Sequence, residues 1–181
     1  MSKVPSVLTF PQDKDKFPII DIVYPDTNFI LKLLIKHEAK HPTAEALFTY
    51  LMFKNNKIKF LLSTLVVDEF WWALLNNLYK SDNNTKLDPN RLKWDKSIIA
   101  KYADRLKKYT QNLFKLPLIE LISMDKSLSK DALENMTKFN MAPRDSFHLA
   151  VANSNHANAF ISNDTDFESI ESETIENIIK I

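Results

Sequence analysis

The sequence predicts an α/β fold in which a mostly parallel sheet is covered by helices on both faces. Three observations lead there. Short apolar runs alternate with segments of helical length along most of the chain. At 181 residues and 45% hydrophobic, the chain suffices for one well-buried core and is short for two. No apolar run approaches the roughly 18 residues of a membrane span.

The first 18 residues mix polar groups with prolines and are expected to form a loosely ordered N-terminal extension, ahead of a single domain over 19–181. The first strand is expected over Ile19 to Tyr24, with Pro25 tolerable where the ladder ends. Helices follow over Asn28 to Lys36 and Thr43 to Asn55, then a strand over Lys59 to Leu62. The segment Leu65 to Tyr79 reads as a helix, and Ser81 to Pro89 as a loop. That loop begins a helical insertion around 81–116, with one helix over Arg91 to Phe114. Its Ile98, Tyr102, Leu106, Tyr109 and Leu113 recur at spacings of three and four, while Lys96, Lys101, Lys107 and Lys108 fall largely on other faces. A core-packing helix with a solvated basic side is the first reading, and a phosphate-contacting surface the second. Strands over Leu118 to Ile122, Ala159 to Ser162 and Asn177 to Ile181 alternate with helices over Ser127 to Lys138 and Pro143 to Asn155.

Composition narrows the chemistry. Cysteine is absent, which excludes disulfides and thiolate metal sites, and four histidines leave few options for a soft-metal centre, so any metal is expected to be held by oxygen. A net charge of +1 produces no global field of the kind polybasic nucleic-acid binders carry, so a nucleic-acid partner would need a local patch. Glycine is absent too, and left-handed turn positions are expected at Asn55-Asn56, Asn76-Asn77 and Asn83-Asn84. Neither end shows a secretory pattern, so a soluble, cytoplasmic protein with no membrane partner is expected.

Four acidic positions stand out. Asp26 ends the first strand and opens a helix, where an N-cap role is sufficient by itself. Glu69 shares a helical face with Leu65, Val66, Trp72 and Ala73 and has no Lys or Arg three or four residues away. An unpaired buried carboxylate costs several kcal/mol unless a cation compensates it, so Glu69 points to a metal. Asp68 on the neighbouring face remains its rival. Asp145 lies in the first turn of a helix opened by Pro143, where the helix dipole favours an acid in any case. In the stretch 162–168, Thr165 and Glu168 would make a capping box, which leaves Asp164 and Asp166 unassigned.

On the inferred topology all four places fall at the carboxyl edge of the sheet, where open α/β sheets bind ligands. Carboxylates gathered in one cleft repel one another unless a hard cation keeps them ionised, and oxygen-only ligation suits Mg²⁺ or Mn²⁺. Such sites bind phosphates and activate water, so hydrolysis of a phosphodiester follows.

The runs Asp26-Thr27-Asn28-Phe29, Ser63 to Phe70, Arg144 to Ala150 and Ile161 to Phe167 together resemble the four-part signature of PIN-domain ribonucleases. The resemblance extends from about Ile22 to Phe167 and implies an α/β/α sandwich and Mg²⁺- or Mn²⁺-dependent endonucleolytic cutting of RNA. It implies that Asp26, Glu69, Asp145 and Asp164 ligate the metal, with Asp166 as an accessory acid and Asn28, Ser63 and Ser162 as polar support. It also selects Glu69 over Asp68. Many small relatives are toxins of VapBC-type toxin–antitoxin pairs, often dimeric, so an antitoxin and a second copy join RNA among the implied partners. This chain is longer than the compact toxins.

The sequence also offers two rival readings. His37-Glu38-Ala39-Lys40-His41 matches the zinc-protease pattern H-E-x-x-H, but Pro42 forces the residue before it out of helical geometry and no third ligand has a recognisable setting. The other rival is a non-catalytic PIN-like module that binds RNA or protein, which has no reason to assemble so costly a charge cluster. His148 reads as a structural histidine, and Trp71 and Trp72 as filling the core or a dimer interface.

Overall fold

The computed structural model describes residues 2–181. The apolar runs become strands because they bury on both faces: Val23, Tyr24, Phe60, Leu61, Leu62, Phe160, Ile178 and Ile179 are all buried. In chain order the strands are β1 (Ser6–Thr9), β2 (Ile22–Pro25), β3 (Lys59–Ser63), β4 (Ile119–Ile122), β5 (Ala159–Ile161) and β6 (Asn177–Lys180). They form one sheet in the order β1-β6-β5-β2-β3-β4, with every pair parallel. The helices are α1 (Thr27–Leu34), α2 (His41–Lys54), α3 (Thr64–Asn83), α4 (Arg91–Trp94), α5 (Ser97–Phe114), α6 (Lys126–Phe139) and α7 (Pro143–Ser154).

Right-handed crossovers fix the layers. From β2 the chain steps outward through β3 to β4, and α1, α2, α3 and α5 pack together along the way. It then returns past β2 to β5 by way of α6 and α7, which pack against each other on the opposite face. The result is a three-layer α/β/α sandwich. The strand order reverses between β2 and β5, so the crevice beyond the carboxyl ends of these two strands is the topological switch point. No helix among the described residues is long and apolar enough to cross a membrane.

Several sequence expectations change here. The segment before Ile19 is not loose: β1 pairs with β6, and Leu8, Phe10 and Phe17 are buried. Phe10, Phe17 and Tyr50 pack together with ring centres 5.7 to 6.1 Å apart, Phe17 meeting each of the other two edge to face. The helix expected over Arg91 to Phe114 is broken at Asp95-Lys96, where the Asp95 carboxylate accepts the Ser97 N–H at 3.2 Å and offers the backbone an alternative to the helical ladder. His37 to Lys40 form the turn between α1 and α2, and His41 begins α2, so the two histidines of the H-E-x-x-H match do not share a helical face.

The asparagine expectation holds at Asn84 (φ 54°), while Asn140, His156 and Leu118 take the other positive-φ positions. Asn76 and Asn77 lie inside α3 and use their side chains instead: Asn76 accepts the Leu87 N–H at 3.0 Å and Asn77 donates to Glu38 at 3.1 Å. Trp71 does not fill the core. It is 47% exposed on α3, with its indole N–H donating to Thr110 of α5 at 2.9 Å. The packing between α3 and α5 relies instead on a satellite core of Leu75, Tyr79, Leu87, Ile98 and Tyr102.

Candidate functional site

Asp26 is delivered to the switch point by β2 and caps α1: its Oδ1 accepts the Phe29 N–H at 2.7 Å. Its Oδ2 accepts the Ser162 hydroxyl at 2.7 Å, and the same Ser162 oxygen accepts the Asp164 N–H at 3.0 Å. The loop after β5 is thereby tied to the loop after β2, a connection reinforced by the Asp26 N–H donating to the Ile161 carbonyl at 2.9 Å. Burial raises the Asp26 carboxyl above its ordinary value, against the two hydrogen bonds that favour its anion.

Asp164 caps the 3-10 turn Thr165–Phe167, its Oδ1 accepting the Asp166 N–H at 3.0 Å. The capping box expected of Thr165 and Glu168 is therefore absent, and Glu168 pairs with Lys180 instead. Asp164 lies beside the start of α7, which carries Asp145 in its first turn. Carboxylate oxygens of Asp145, Asp164 and Asp166 lie within 4.8 Å of one another. Asp145 is raised by burial first, then by the charge of Asp164, with Asp166 and Glu69 adding to it. An acid held among like charges at a sheet edge is the electrostatic setting that a hard, oxygen-ligated cation relieves, so the donor set fits Mg²⁺ or Mn²⁺.

Glu69 contradicts the expectation that it is unpaired. Its Oε2 accepts the Thr27 hydroxyl at 2.6 Å and meets His148 Nε2 at 3.2 Å, and its Oε1 lies 3.6 Å from the Arg144 guanidinium. Burial alone would raise this carboxyl, but His148, Thr27 and Arg144 outweigh it and hold it below its ordinary value. These partners come from α1 and α7, 42 to 79 residues away, beyond any helical spacing rule. Asp68 is exposed on the other side of α3, so the helix face belongs to Glu69.

Behind Glu69 lies a buried chain of polar groups that sequence reasoning assembled only in part. The Tyr24 hydroxyl is 2.8 Å from Ser63 Oγ and 2.7 Å from His148 Nδ1. Burial raises the Tyr24 phenol well above its usual range, so it stays neutral. Contact with Nδ1 fixes the ring so that Nε2 faces Glu69. Ser63 also caps α3, accepting the Val66 N–H at 3.2 Å. Ser63 and Ser162 thus sit in the polar framework, whereas Asn28 is exposed and Thr27 makes the contact beside it. Thr27 and Tyr24 went unread because a residue next to a helix cap and an aromatic in a strand both look purely structural in one dimension.

The structure thus brings Asp145, Asp164 and Asp166 into one cluster and holds Asp26 and Glu69 beside it by hydrogen bonds.

The model of the PIN domain family matches residues 23–173. No curated protein matches the chain in sequence. Among solved structures, the chain is similar to VapC20 of Mycobacterium tuberculosis, a toxin described as cleaving the sarcin-ricin loop, with a TM-score of 0.50 and 16% identity over 85% of this chain and 98% of the other. It is also similar to VapBC2 of Rickettsia felis, solved on a DNA fragment from its promoter, with a TM-score of 0.56 and 15% identity over 87% of this chain and 98% of the other. At those identities the two structures share the fold, and the family model spans the switch point, the acidic cluster and the helices that carry them: the chain belongs to the PIN domain family.

Proposed function

We propose that the protein is a divalent-metal-dependent endoribonuclease, and that the convergence of Asp145, Asp164 and Asp166 at the switch point carries this reading. In it these three acids hold Mg²⁺ or Mn²⁺, and Asp26 and Glu69 complete the acidic wall. A bound divalent cation supplies Lewis-acid chemistry at phosphorus: activation of the attacking water and neutralisation of charge on the leaving oxygen. The chain's own residues do the positioning. Phe29 N–H and Ser162 lock the Asp26 carboxylate, and capping of the 3-10 turn locks Asp164. Thr27 and His148 hold Glu69 ionised toward the cluster, and the exposed Arg144 beside it offers a guanidinium to a substrate phosphate.

Similarity to VapC20 and VapBC2 supports a toxin of a toxin–antitoxin pair, with an antitoxin as protein partner; the reading adds a homodimer as the assembly. The test is cleavage of total RNA with added Mn²⁺, together with calorimetric Mn²⁺ binding, for wild type and for Asp145→Asn with Asp164→Asn. Wild type is expected to bind metal and cut. The double variant is expected to lose more activity than the about 10–100-fold that removing an outer metal-site partner costs. RNA binding by a wild type that takes up no metal would instead make it a non-catalytic module.

A further inference from the structure

Two depressions lie along the seam where α1 faces α3 and α5. The nearer one is lined by Asn28, Lys32, Ala73 and Asn76, and begins two residues past Asp26 and one helical turn past Glu69. The farther one, a cleft of about 830 Å³, is lined by His37, Lys80, Arg105, Lys108 and Tyr109. Both share Glu38 and Asn77, which are hydrogen-bonded to each other at 3.1 Å where the two depressions meet. Lys80 lies about 16 Å along α3 from Glu69 at 1.5 Å per residue.

The charge on this path is one-sided. Lys32, Lys80, Arg105 and Lys108 face it against a single carboxylate, Glu38, in a protein whose net charge is only +1. Among the described residues, none of these four cations lies within ion-pair distance of a carboxylate. Asparagine amides line the path beside them, and the half-buried Tyr109 lines it together with Leu74 and Leu78. Unpaired cations spaced along a groove, with amides and an aromatic face between them, match a polyanion that carries bases.

We propose that this groove is the strand-binding track of the enzyme: a single-stranded polynucleotide lies along the α1 to α3/α5 seam, its phosphates on Lys32, Lys80, Arg105 and Lys108, and the adjoining stretch of the strand is thereby held at the acidic cluster. The inference rests on the nuclease reading for what happens at that cluster. It gives Arg105 and Lys108 of α5 a role, and it places His37 and Glu38 of the H-E-x-x-H match in the groove wall rather than around zinc.

Fluorescence anisotropy in chelator measures capture without cleavage. The probe is a mixed-sequence RNA of about 12 nucleotides, within the roughly 4–16 that single-strand grooves cover. Arg105→Gln with Lys108→Gln is expected to weaken binding about tenfold across sequences and to flatten the slope of log affinity against log salt by about 1.4, near 0.7 for each lost phosphate contact on a single strand. Lys57→Gln with Lys138→Gln, exposed lysines outside the groove, is expected to change neither quantity. Equal affinity and slope in the groove variant, while wild type still cuts RNA with Mn²⁺, would overturn the track and leave the nuclease standing. A wild type that binds through these residues but never cuts would sink the nuclease and keep the track. Binding of a polyglutamate peptide through Arg105 and Lys108, with no RNA binding, would assign the groove to an acidic protein segment and overturn the proposal.

Discussion

Glu69 shows how much one side chain's meaning depends on partners that only the fold supplies. Read along its helix it is an orphan charge whose replacement by glutamine should relieve repulsion. With Thr27 donating at 2.6 Å and His148 and Arg144 beside it, the ionised carboxylate is what the native state stabilises. Glu69→Gln is therefore expected to destabilise the metal-free protein by about 1 kcal/mol at neutral pH, the scale of a weakened hydrogen bond to a charged group. The sign with pH follows from the direction of the shift. A carboxyl lowered in the fold contributes stability above its unfolded pKa and loses it as pH falls through the folded one, so wild type and variant should converge in acid. Asp26 and Asp145 act oppositely: their raised carboxyls cost stability as pH rises through the folded values. Urea unfolding in chelator at pH 7 and pH 4 reads the difference. A Glu69→Gln protein as stable as wild type at pH 7, or more so, would restore the orphan-charge reading.

Among the elements, helix ends carry most of the local information in a chain without glycine. Asp26, Ser63, Asp125 and Asp164 each cap a helix or turn with a side-chain oxygen, and the same caps aim two of the site's acids. At the opposite ends Asn84 closes α3 and Asn140 closes α6 in the left-handed conformation, each N–H bonding back to the carbonyl four residues earlier. Asparagine tolerates that region because its short polar side chain hydrogen-bonds locally, whereas a Cβ with no such partner costs about 1 kcal/mol there. Asn140→Ala should accordingly lose about 1 kcal/mol and Asn140→Gly should lose nothing, as measured by thermal unfolding. An equal loss in both would mean that the side chain's own contacts, and not φ, decide the position. Helix α5 shows the reverse dependence. Its spacing announced a packed stripe, and Ile98, Tyr102 and Leu113 are buried, but that Arg105 and Lys108 line the cleft with residues of α3 follows only once α5 packs on α3.

At the scale of the molecule, β1 closes the sheet next to β6, with Ser6 paired to Asn177 across almost the full length of the chain. Removing residues 1–18 would open the edge of β6 and strip Leu8, Phe10 and Phe17 from the core. Each such side chain contributes about 1.5–3 kcal/mol on burial. The truncated protein is expected to lose at least about 3 kcal/mol and to self-associate through the open edge, outcomes that urea unfolding and light scattering would record. An unchanged midpoint and a monodisperse solution would return the segment to the status of a loose extension.

The alternation of apolar runs and helical segments determined the parallel, doubly covered sheet, because in one chain strands separated by helices can pair in parallel only through such crossovers. The placement of Asp26, Asp145 and Asp164 at the carboxyl edge followed from the same topology, and caps and strand ends are local enough to be read in one dimension. Tertiary structure decided the rest. It recruited β1 through a pairing with no local signature, supplied Thr27, His148 and Arg144 as partners of Glu69, and turned Asp68 and Trp71 outward. It also gathered Asp166 with Asp145 and Asp164 while leaving Asp26 and Glu69 in hydrogen bonds beside them. The division has one cause: backbone periodicity and capping act over a few residues, whereas the charge state and aim of a buried side chain depend on groups brought near it only when the sheet and helices pack.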